Sequence, residues 1–129
     1  MNNPDLSNYT ILVAEDDTNS FKYIQASLKK TGVKILLATN GKEAVESVSD
    51  ETISIDLIVM DAMMPLMSGF EATIEIKKIQ PVIPIIMLTA YANQESIRQA
   101  IASGCNDYLS KPVSTDVLMT IIKKWLVEK

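Results

Sequence analysis

The stretch Asp56-Leu-Ile-Val-Met-Asp-Ala-Met-Met-Pro-Leu-Met-Ser-Gly-Phe-Glu71 is predicted to form a strand, a loop and the beginning of a helix. Residues 56–61 are rich in Leu, Ile, Val and Met, and a short apolar run of this kind is typical of a buried strand. Ser68 and Glu71 have the spacing of a capping box, in which two side chains bind free N–H groups of a helix's first turn. The stretch therefore predicts a buried strand that ends in Asp61, followed closely by a helix.

Short apolar runs alternate with amphipathic stretches in the same way toward both ends of the chain. Four further strands are predicted at Thr10–Glu15, Val33–Ala38, Pro84–Thr89 and Asp107–Ser110. Helices are predicted at Thr18–Thr31, from Asn40 onward with a capping Glu43, from Ser68 to about Ile79, at Asn93–Ser103 and from Ser114 to about Lys129. Apolar residues at helical spacing are assigned to the core. They are Phe21, Ile24, Leu28, Ile97, Ala100, Ile101, Val117, Leu118, Ile121, Ile122 and Trp125.

Five strands that alternate with five helices predict an α/β domain whose parallel sheet is covered by helices on both faces. Because crossovers between parallel strands are right-handed, the arrangement is restricted to a doubly wound fold. In such folds the functional crevice lies at the carboxyl ends of the strands. We expect the domain to span residues 9–129, after a flexible polar segment at residues 1–8.

The composition excludes several classes of function. The 129 residues carry 12 basic and 16 acidic side chains without a basic cluster, so nucleic acid is a poor candidate for a direct partner. The sequence has no histidine, which excludes a histidine base, histidine metal ligands and a phosphohistidine on this chain. The single cysteine, Cys105, is assigned to packing. No apolar run is long enough to span a bilayer and the N-terminus lacks a signal-peptide pattern, so we expect a cytoplasmic protein with no membrane partner.

The predicted strands end in side chains that suit phosphoryl transfer. The first strand ends in Glu15-Asp16-Asp17, the third in Asp61 and the fourth in Thr89, and the fifth runs into Lys111. Neighbouring carboxylates repel one another unless a cation neutralises them, and oxygen ligands without His or Cys favour Mg²⁺. A carboxylate nucleophile, a divalent cation, an ammonium and a hydroxyl are the groups needed to transfer a phosphoryl group onto a carboxylate.

Each of these residues also has an ordinary structural explanation. The acidic run after the first strand could simply cap a helix, and Asp61 could belong to a turn before Pro65. Threonine ends many strands, and a lysine usually lies in solvent. The functional interpretation therefore depends on the combination of residue types at four strand ends of one predicted sheet.

Five segments resemble the receiver domain of two-component response regulators, and the resemblance covers the chain from about Thr10 to Val127. In sequence order they are Ile11–Asp17, Ala38–Ala44, Asp56–Gly69, Pro84–Ala90 and Gly104–Pro112. The resemblance implies a flavodoxin-like fold with five parallel strands in the order 2-1-3-4-5 and five helices.

The resemblance also implies an acceptor and a metal site. Asp61 matches the phosphoacceptor. Glu15 and Asp16 match the acidic pair that organises Mg²⁺, with Asp16 as a direct ligand and Glu15 acting mainly through water. Asp61 and the backbone carbonyl of Met63 match the remaining protein ligands, whereas Asp17 matches a position that is not a standard ligand.

A switch and a partner are implied as well. Lys111 matches the lysine that pairs with the acceptor and then with the phosphoryl group, and its bond to Pro112 is cis in the family. Thr89 matches the switch hydroxyl and Tyr108 the switch aromatic, which together reshape the face formed by the fourth helix, fifth strand and fifth helix. The implied phosphodonor is a sensor histidine kinase or a histidine phosphotransfer protein. The reshaped face is a candidate surface for a homodimer.

Three alternatives remain open at this point. A flavodoxin-like FMN carrier shares the topology, although Glu15 and its acidic neighbours would repel the flavin phosphate. A metal-dependent phosphatase with an aspartyl nucleophile resembles a pattern with a second Asp two residues on, where this chain has Met63. The third alternative is that the chain is the receiver of a hybrid sensor kinase.

Overall fold

The computed structural model describes residues 3–91 and 93–128, in which five β-strands alternate with five α-helices. The strands are β1 (Thr10–Ala14), β2 (Lys34–Ala38), β3 (Leu57–Asp61), β4 (Ile85–Thr89) and β5 (Asp107–Ser110). The helices are α1 (Thr18–Leu28), α2 (Gly41–Ser49), α3 (Gly69–Ile79), α4 (Gln94–Ser103) and α5 (Thr115–Leu126). Within these described ranges, the helices are all too short or too polar to cross a bilayer.

The strands form one parallel sheet in the order β2-β1-β3-β4-β5, which confirms the predicted doubly wound fold. The register pairs Ala14 of β1 with Met60 of β3, and Asp61 of β3 with Leu88 of β4. Thr89 at the end of β4 lies opposite Ser110 at the end of β5. The carboxyl ends of the strands are therefore level, so residues that follow them meet at one edge of the sheet.

Two apolar cores cover the two faces of the sheet. Side chains such as Leu12, Ile58 and Met87 pack with α2, α3 and α4 on one face, whereas neighbours such as Val13 and Val59 pack with α1 and α5 on the other. All five residues of β3 and of β4 are buried. Central strands buried on both faces explain why these sequences are continuous apolar runs, and each fully buried aliphatic side chain contributes about 1.5–3 kcal/mol.

The packed unit begins earlier than the expected boundary at residue 9. Leu6, within the segment expected to be flexible, is fully buried in the core beside α1 and α5. Its N–H donates to the carbonyl of Thr31 at 2.8 Å, and its carbonyl accepts the N–H of Tyr9 at 2.9 Å. This burial revises the expected boundary, because one apolar residue in a polar segment gives no periodic signal. Residues 1 and 2 lie outside the described residues.

The helix starts agree with the sequence better than the helix ends. Ser68 and Glu71 form the predicted capping box, whereas Glu43 binds the N–H and hydroxyl of Thr39 and not the N–H of the N-cap residue Asn40. The predicted first helix ends as an α-helix at Leu28, and residues 29–31 continue as a 3-10 turn. The last helix ends at Leu126 and not near Lys129, which lies outside the described residues.

Two residues assigned to the core are exposed instead. Val117 in α5 is 47% exposed, since that helix buries the adjacent stripe of Leu118, Ile122 and Leu126. Ile101 in α4 is 64% exposed. Too many apolar positions of α4 and α5 were assigned to the core, because these helices flank the edge strand β5, where the sheet covers less of each helix.

Gly69 allows the first turn of α3 to approach the backbone of β3. A β-carbon at this position would overlap the carbonyl oxygen of Asp61. The Gly69 N–H donates to the carbonyl of Ala62 at 2.8 Å. The start of α3 therefore holds the backbone that carries the Asp61 side chain.

The change Gly69→Ala should destabilise the protein by about 1–3 kcal/mol, because the new methyl group can be accommodated only by moving backbone atoms. Urea unfolding measures this loss. Lys42→Ala, at an exposed position near the start of α2, is the control and should change stability by no more than about 0.5 kcal/mol. A Gly69→Ala protein as stable as the control would contradict the close approach.

Candidate functional site

Three carboxylates lie together at the carboxyl ends of β1 and β3. Glu15, Asp16 and Asp61 each offer one oxygen, and these oxygens lie within 4.8 Å of one another. Glu15 and Asp61 are only 2% and 6% exposed, whereas Asp16 is exposed to solvent. The parallel register of β1 and β3 positions them, since it makes both strands end at the same level. The structure thus brings together the three acidic side chains that the sequence predicted as metal ligands.

Lys111 contacts two of these carboxylates. Its Nζ lies 2.8 Å from Oε1 of Glu15, to which it donates a hydrogen bond, and 3.3 Å from Oδ2 of Asp61. Burial lowers the pKa of Lys111, but its bonds to Glu15 and Asp61 outweigh burial and leave the pKa above the usual value. The Lys111–Pro112 bond is cis, as the resemblance implied.

The Asp61 carboxyl holds its proton more strongly than an ordinary aspartate does. Burial, together with the hydrogen bond and negative charge of Glu15, raises the pKa of Asp61 to about 7, although Lys111 opposes the shift. Two buried carboxylates and one ammonium leave the site short of positive charge. The donor set is made of carboxylate oxygens alone, which fits a hard divalent cation.

Asp17 has a structural role at the start of α1. Its carboxylate accepts the N–H of Ser20 at 3.3 Å and the Ser20 hydroxyl at 2.8 Å, and thus caps α1. The Asp17 N–H donates to Oε2 of Glu15 at 3.2 Å. The two oxygens of Glu15 therefore join Lys111 to the start of α1.

Thr89 is buried beside the cluster and bonded to the chain that follows it. Its hydroxyl donates to the carbonyl of Tyr91 at 3.0 Å and accepts the Tyr91 N–H at 3.2 Å. The Thr89 carbonyl accepts the N–H of Lys111 at 2.8 Å, which links the ends of β4 and β5. The side chains of Met63 and Tyr108 are exposed to solvent.

A hollow of about 580 Å³ lies beside Lys111 and was not predicted from the sequence. Its walls include Tyr23 and Ile24 of α1, Leu88 of β4 and Val113 after β5. These residues are remote from one another in the sequence and carry no common motif. The hollow forms where α1 packs against the segment after β5, and such a contact between distant parts of the chain is visible in the structure alone.

Residues 11–123 match the family model of the response regulator receiver domain. The chain is 36% identical over 119 residues to the transcriptional regulatory protein ZraR of Escherichia coli (strain K12); the match covers 92% of this chain and spans about a quarter (26%) of that protein. It is also similar to the receiver domain of the sensor histidine kinase PA1611 from Pseudomonas aeruginosa PAO1, which has a magnesium ion coordinated in its active site cleft. That similarity has a TM-score of 0.84 and 35% identity, over 92% of this chain and 97% of the other.

A second solved structure is the co-crystal of the Saccharomyces cerevisiae histidine phosphotransfer signaling protein Ypd1 with the receiver domain of its downstream response regulator Ssk1. The TM-score is 0.84 and the identity 32%, over 92% of this chain and 88% of that chain. The family match covers most of the sequence, and the strand order of this chain is that of the solved receiver domains it resembles. This chain therefore belongs to the receiver domain family of two-component response regulators.

Proposed function

We propose that Asp61 is the phosphoacceptor of this receiver and takes its phosphoryl group from a phosphohistidine on a partner protein. The observation that carries the proposal is the position of the Asp61 carboxylate, nearly buried, 3.3 Å from the Lys111 ammonium and grouped with Glu15 and Asp16. A structural ion pair would need one carboxylate for one ammonium. The surplus of carboxylates is what a metal-assisted phosphoryl transfer site requires.

Glu15, Asp16, Asp61 and the backbone carbonyl of Met63 would hold Mg²⁺. The oxygen-only donor set supports this assignment, as does the magnesium in the active site cleft of the similar PA1611 receiver. When bound, the ion would neutralise charge on the carboxylates and on the phosphoryl oxygens. Because Oε1 of Glu15 already accepts a bond from Lys111, we expect Glu15 to reach the ion mainly through water.

The transfer itself needs no proton-transferring residue. An Asp61 oxygen attacks phosphorus in line, the P–N bond of phosphohistidine breaks, and the imidazole nitrogen takes back the electron pair. Lys111 balances the charge on the phosphoryl oxygens, and Thr89 donates a hydrogen bond to one of them. The chain would thus catalyse its own phosphorylation. Loss of phosphate should be slow, because the Met63 side chain has only a weak acceptor sulfur with which to orient a water and Tyr91 is bulky.

The proposed partner is a sensor histidine kinase or a histidine phosphotransfer protein, supported by the receiver of PA1611 and by the complex of Ypd1 with Ssk1. The proposed output surface is the face of α4, β5 and α5, where Tyr108 would act as the switch aromatic. Exposed Ile101, Tyr108 and Val117 lie on these three elements and suit contact with a partner or with a second copy of the chain. A cytoplasmic location fits such partners.

Acetyl phosphate with Mg²⁺ should label the wild-type chain without a kinase, because the groups that assist the transfer belong to the receiver. Asp61→Asn should reduce incorporation of radioactive phosphate to background. Asp116→Asn, at an exposed position in the first turn of α5, is the matched control and should label as the wild type does. Equal labelling of Asp61→Asn and wild type would contradict the proposed acceptor.

Without Mg²⁺ the Asp61 carboxyl should make stability fall as the pH rises. Its pKa is raised to about 7 in the fold, so its protonated form stabilises the fold at low pH and this contribution is lost as the pH approaches 7. Asp61→Asn should be more stable than wild type. Its advantage in unfolding free energy should be about 1–3 kcal/mol larger at pH 8 than at pH 5, a range that allows for screening by solvent at the mouth of the site. Saturating Mg²⁺ should reduce this gain.

Urea unfolding at the two pH values, with and without Mg²⁺, measures these differences. Asp116→Asn again serves as the control. An Asp61→Asn gain of the same size at both pH values would show that burial and Glu15 do not hold a proton on Asp61.

A further inference from the structure

The strand β2 forms one edge of the sheet and pairs with β1 on one side only. The carbonyl of Ala38 accepts the N–H of Glu15 at 2.9 Å, so the backbone of Ala38 faces β1. Because successive residues of a strand direct their N–H and C=O groups to opposite sides, those of Ile35 and Leu37 point away from the sheet. They meet no hydrogen-bonding partner within the part of the chain that the structure describes. We call these four backbone groups the β2 edge patch.

The N–H groups that would extend the β2 edge patch at either end are already bonded. Before it, the Val33 N–H donates to the hydroxyl of Thr31 at 3.2 Å. After it, the Thr39 N–H donates to Oε1 of Glu43 at 2.6 Å. The open edge is therefore limited to two donors and the two acceptors beside them.

A second copy of β2 matches the β2 edge patch in one antiparallel register. With the pairing centred on Leu36, Ile35 of each copy lies opposite Leu37 of the other, and each of these two pairs exchanges two hydrogen bonds. The four bonds use every group of the patch. A shift of two residues in either direction would instead pair one of its residues with Val33 or Thr39, whose N–H is occupied.

The side chains along β2 also suit a second copy. From Ile35 to Ala38 the strand carries only aliphatic residues, without the charge or proline that commonly protects an exposed edge. Leu37 is 45% exposed and would lie opposite Ile35 of the other copy. Lys34 and Glu43, both exposed, flank opposite ends of the β2 edge patch, so antiparallel pairing brings each lysine toward the other copy's glutamate.

We propose that two copies of this chain associate through β2 to form one continuous ten-stranded sheet. The contact requires no phosphoryl group, and it lies at the sheet edge opposite β5, so the face of α4, β5 and α5 stays free. Since the two strands run in opposite directions, the acidic clusters of the two copies lie toward opposite ends of the joined sheet. A contact between two short strands is small, and we expect a weak pair that forms as the protein concentration rises.

Sedimentation equilibrium of the unphosphorylated chain over a series of concentrations tests the association. The wild-type mass should rise toward that of a dimer. Leu37→Lys places a cation at the contact and should weaken the association at least about tenfold, which corresponds to about 1.4 kcal/mol. Val82→Lys makes the same kind of change at an exposed apolar residue outside β2 and should associate as the wild type does.

Ile101→Lys, on the exposed surface of α4, distinguishes this contact from a dimer through the face of α4, β5 and α5, and it should also associate as the wild type does. A wild type that stays monomeric, or association that is lost in Ile101→Lys and retained in Leu37→Lys, would overturn the proposal.

Amide hydrogen exchange of the wild type by NMR gives a second measurement that needs no variant to fold. The N–H groups of Ile35 and Leu37 should exchange more slowly as the concentration rises, because pairing removes them from water. The amide of Val48 in α2 should be unchanged, since it lies outside the contact. Unchanged exchange at Ile35 and Leu37 while the mass rises would show that the copies associate elsewhere, against the proposal.

Discussion

Repulsion among the carboxylates of Glu15, Asp16 and Asp61 is the constraint on which the rest of the site depends. The parallel sheet forces them together because β1 and β3 end at the same level. Lys111 supplies one ammonium beside three carboxyl groups. Burial first, and then the hydrogen bond and negative charge of Glu15, raise the pKa of Asp61. A divalent cation and the Lys111 ammonium together would offset the repulsion, and the same charges would then stabilise a phosphoryl group. A fold that groups these carboxyl groups with one lysine would therefore favour the binding of a cation, and the proposed phosphoryl group would depend on the same positive charges.

The surroundings of the site divide into a rigid part and an adjustable part. Asp61 is rigidly placed, since β3 is buried throughout and Gly69 brings α3 against the Asp61 backbone. The backbone of Thr89 is bonded to Lys111, and its hydroxyl exchanges two hydrogen bonds with the backbone of Tyr91. Beyond it, α4 has few buried residues. If Asp61 is the acceptor, as proposed, a phosphoryl group on it would lie close to the end of β4, on the side of the domain where α4 and β5 lie.

The sequence predicted the order and type of the elements because the buried parallel strands are continuous apolar runs and the helices carry capping residues. It also located Glu15, Asp16, Asp61, Thr89 and Lys111, since residues at strand ends meet in any doubly wound sheet. Features that depend on distances between remote side chains were not predictable. They include the burial of Leu6, the exposure of Val117, the closer approach of Lys111 to Glu15 than to Asp61, and the bonds from Thr89 to Tyr91.

The central claim is that the Asp61 carboxylate itself becomes an acyl phosphate. Borohydride reduces an aspartyl phosphate to homoserine, so the reaction marks the acceptor after treatment with acetyl phosphate and Mg²⁺. Peptide mapping by mass spectrometry should then find homoserine at position 61, and only when both reagents were present. Homoserine at position 16 or 17, or at another aspartate, with Asp61 intact would contradict the account.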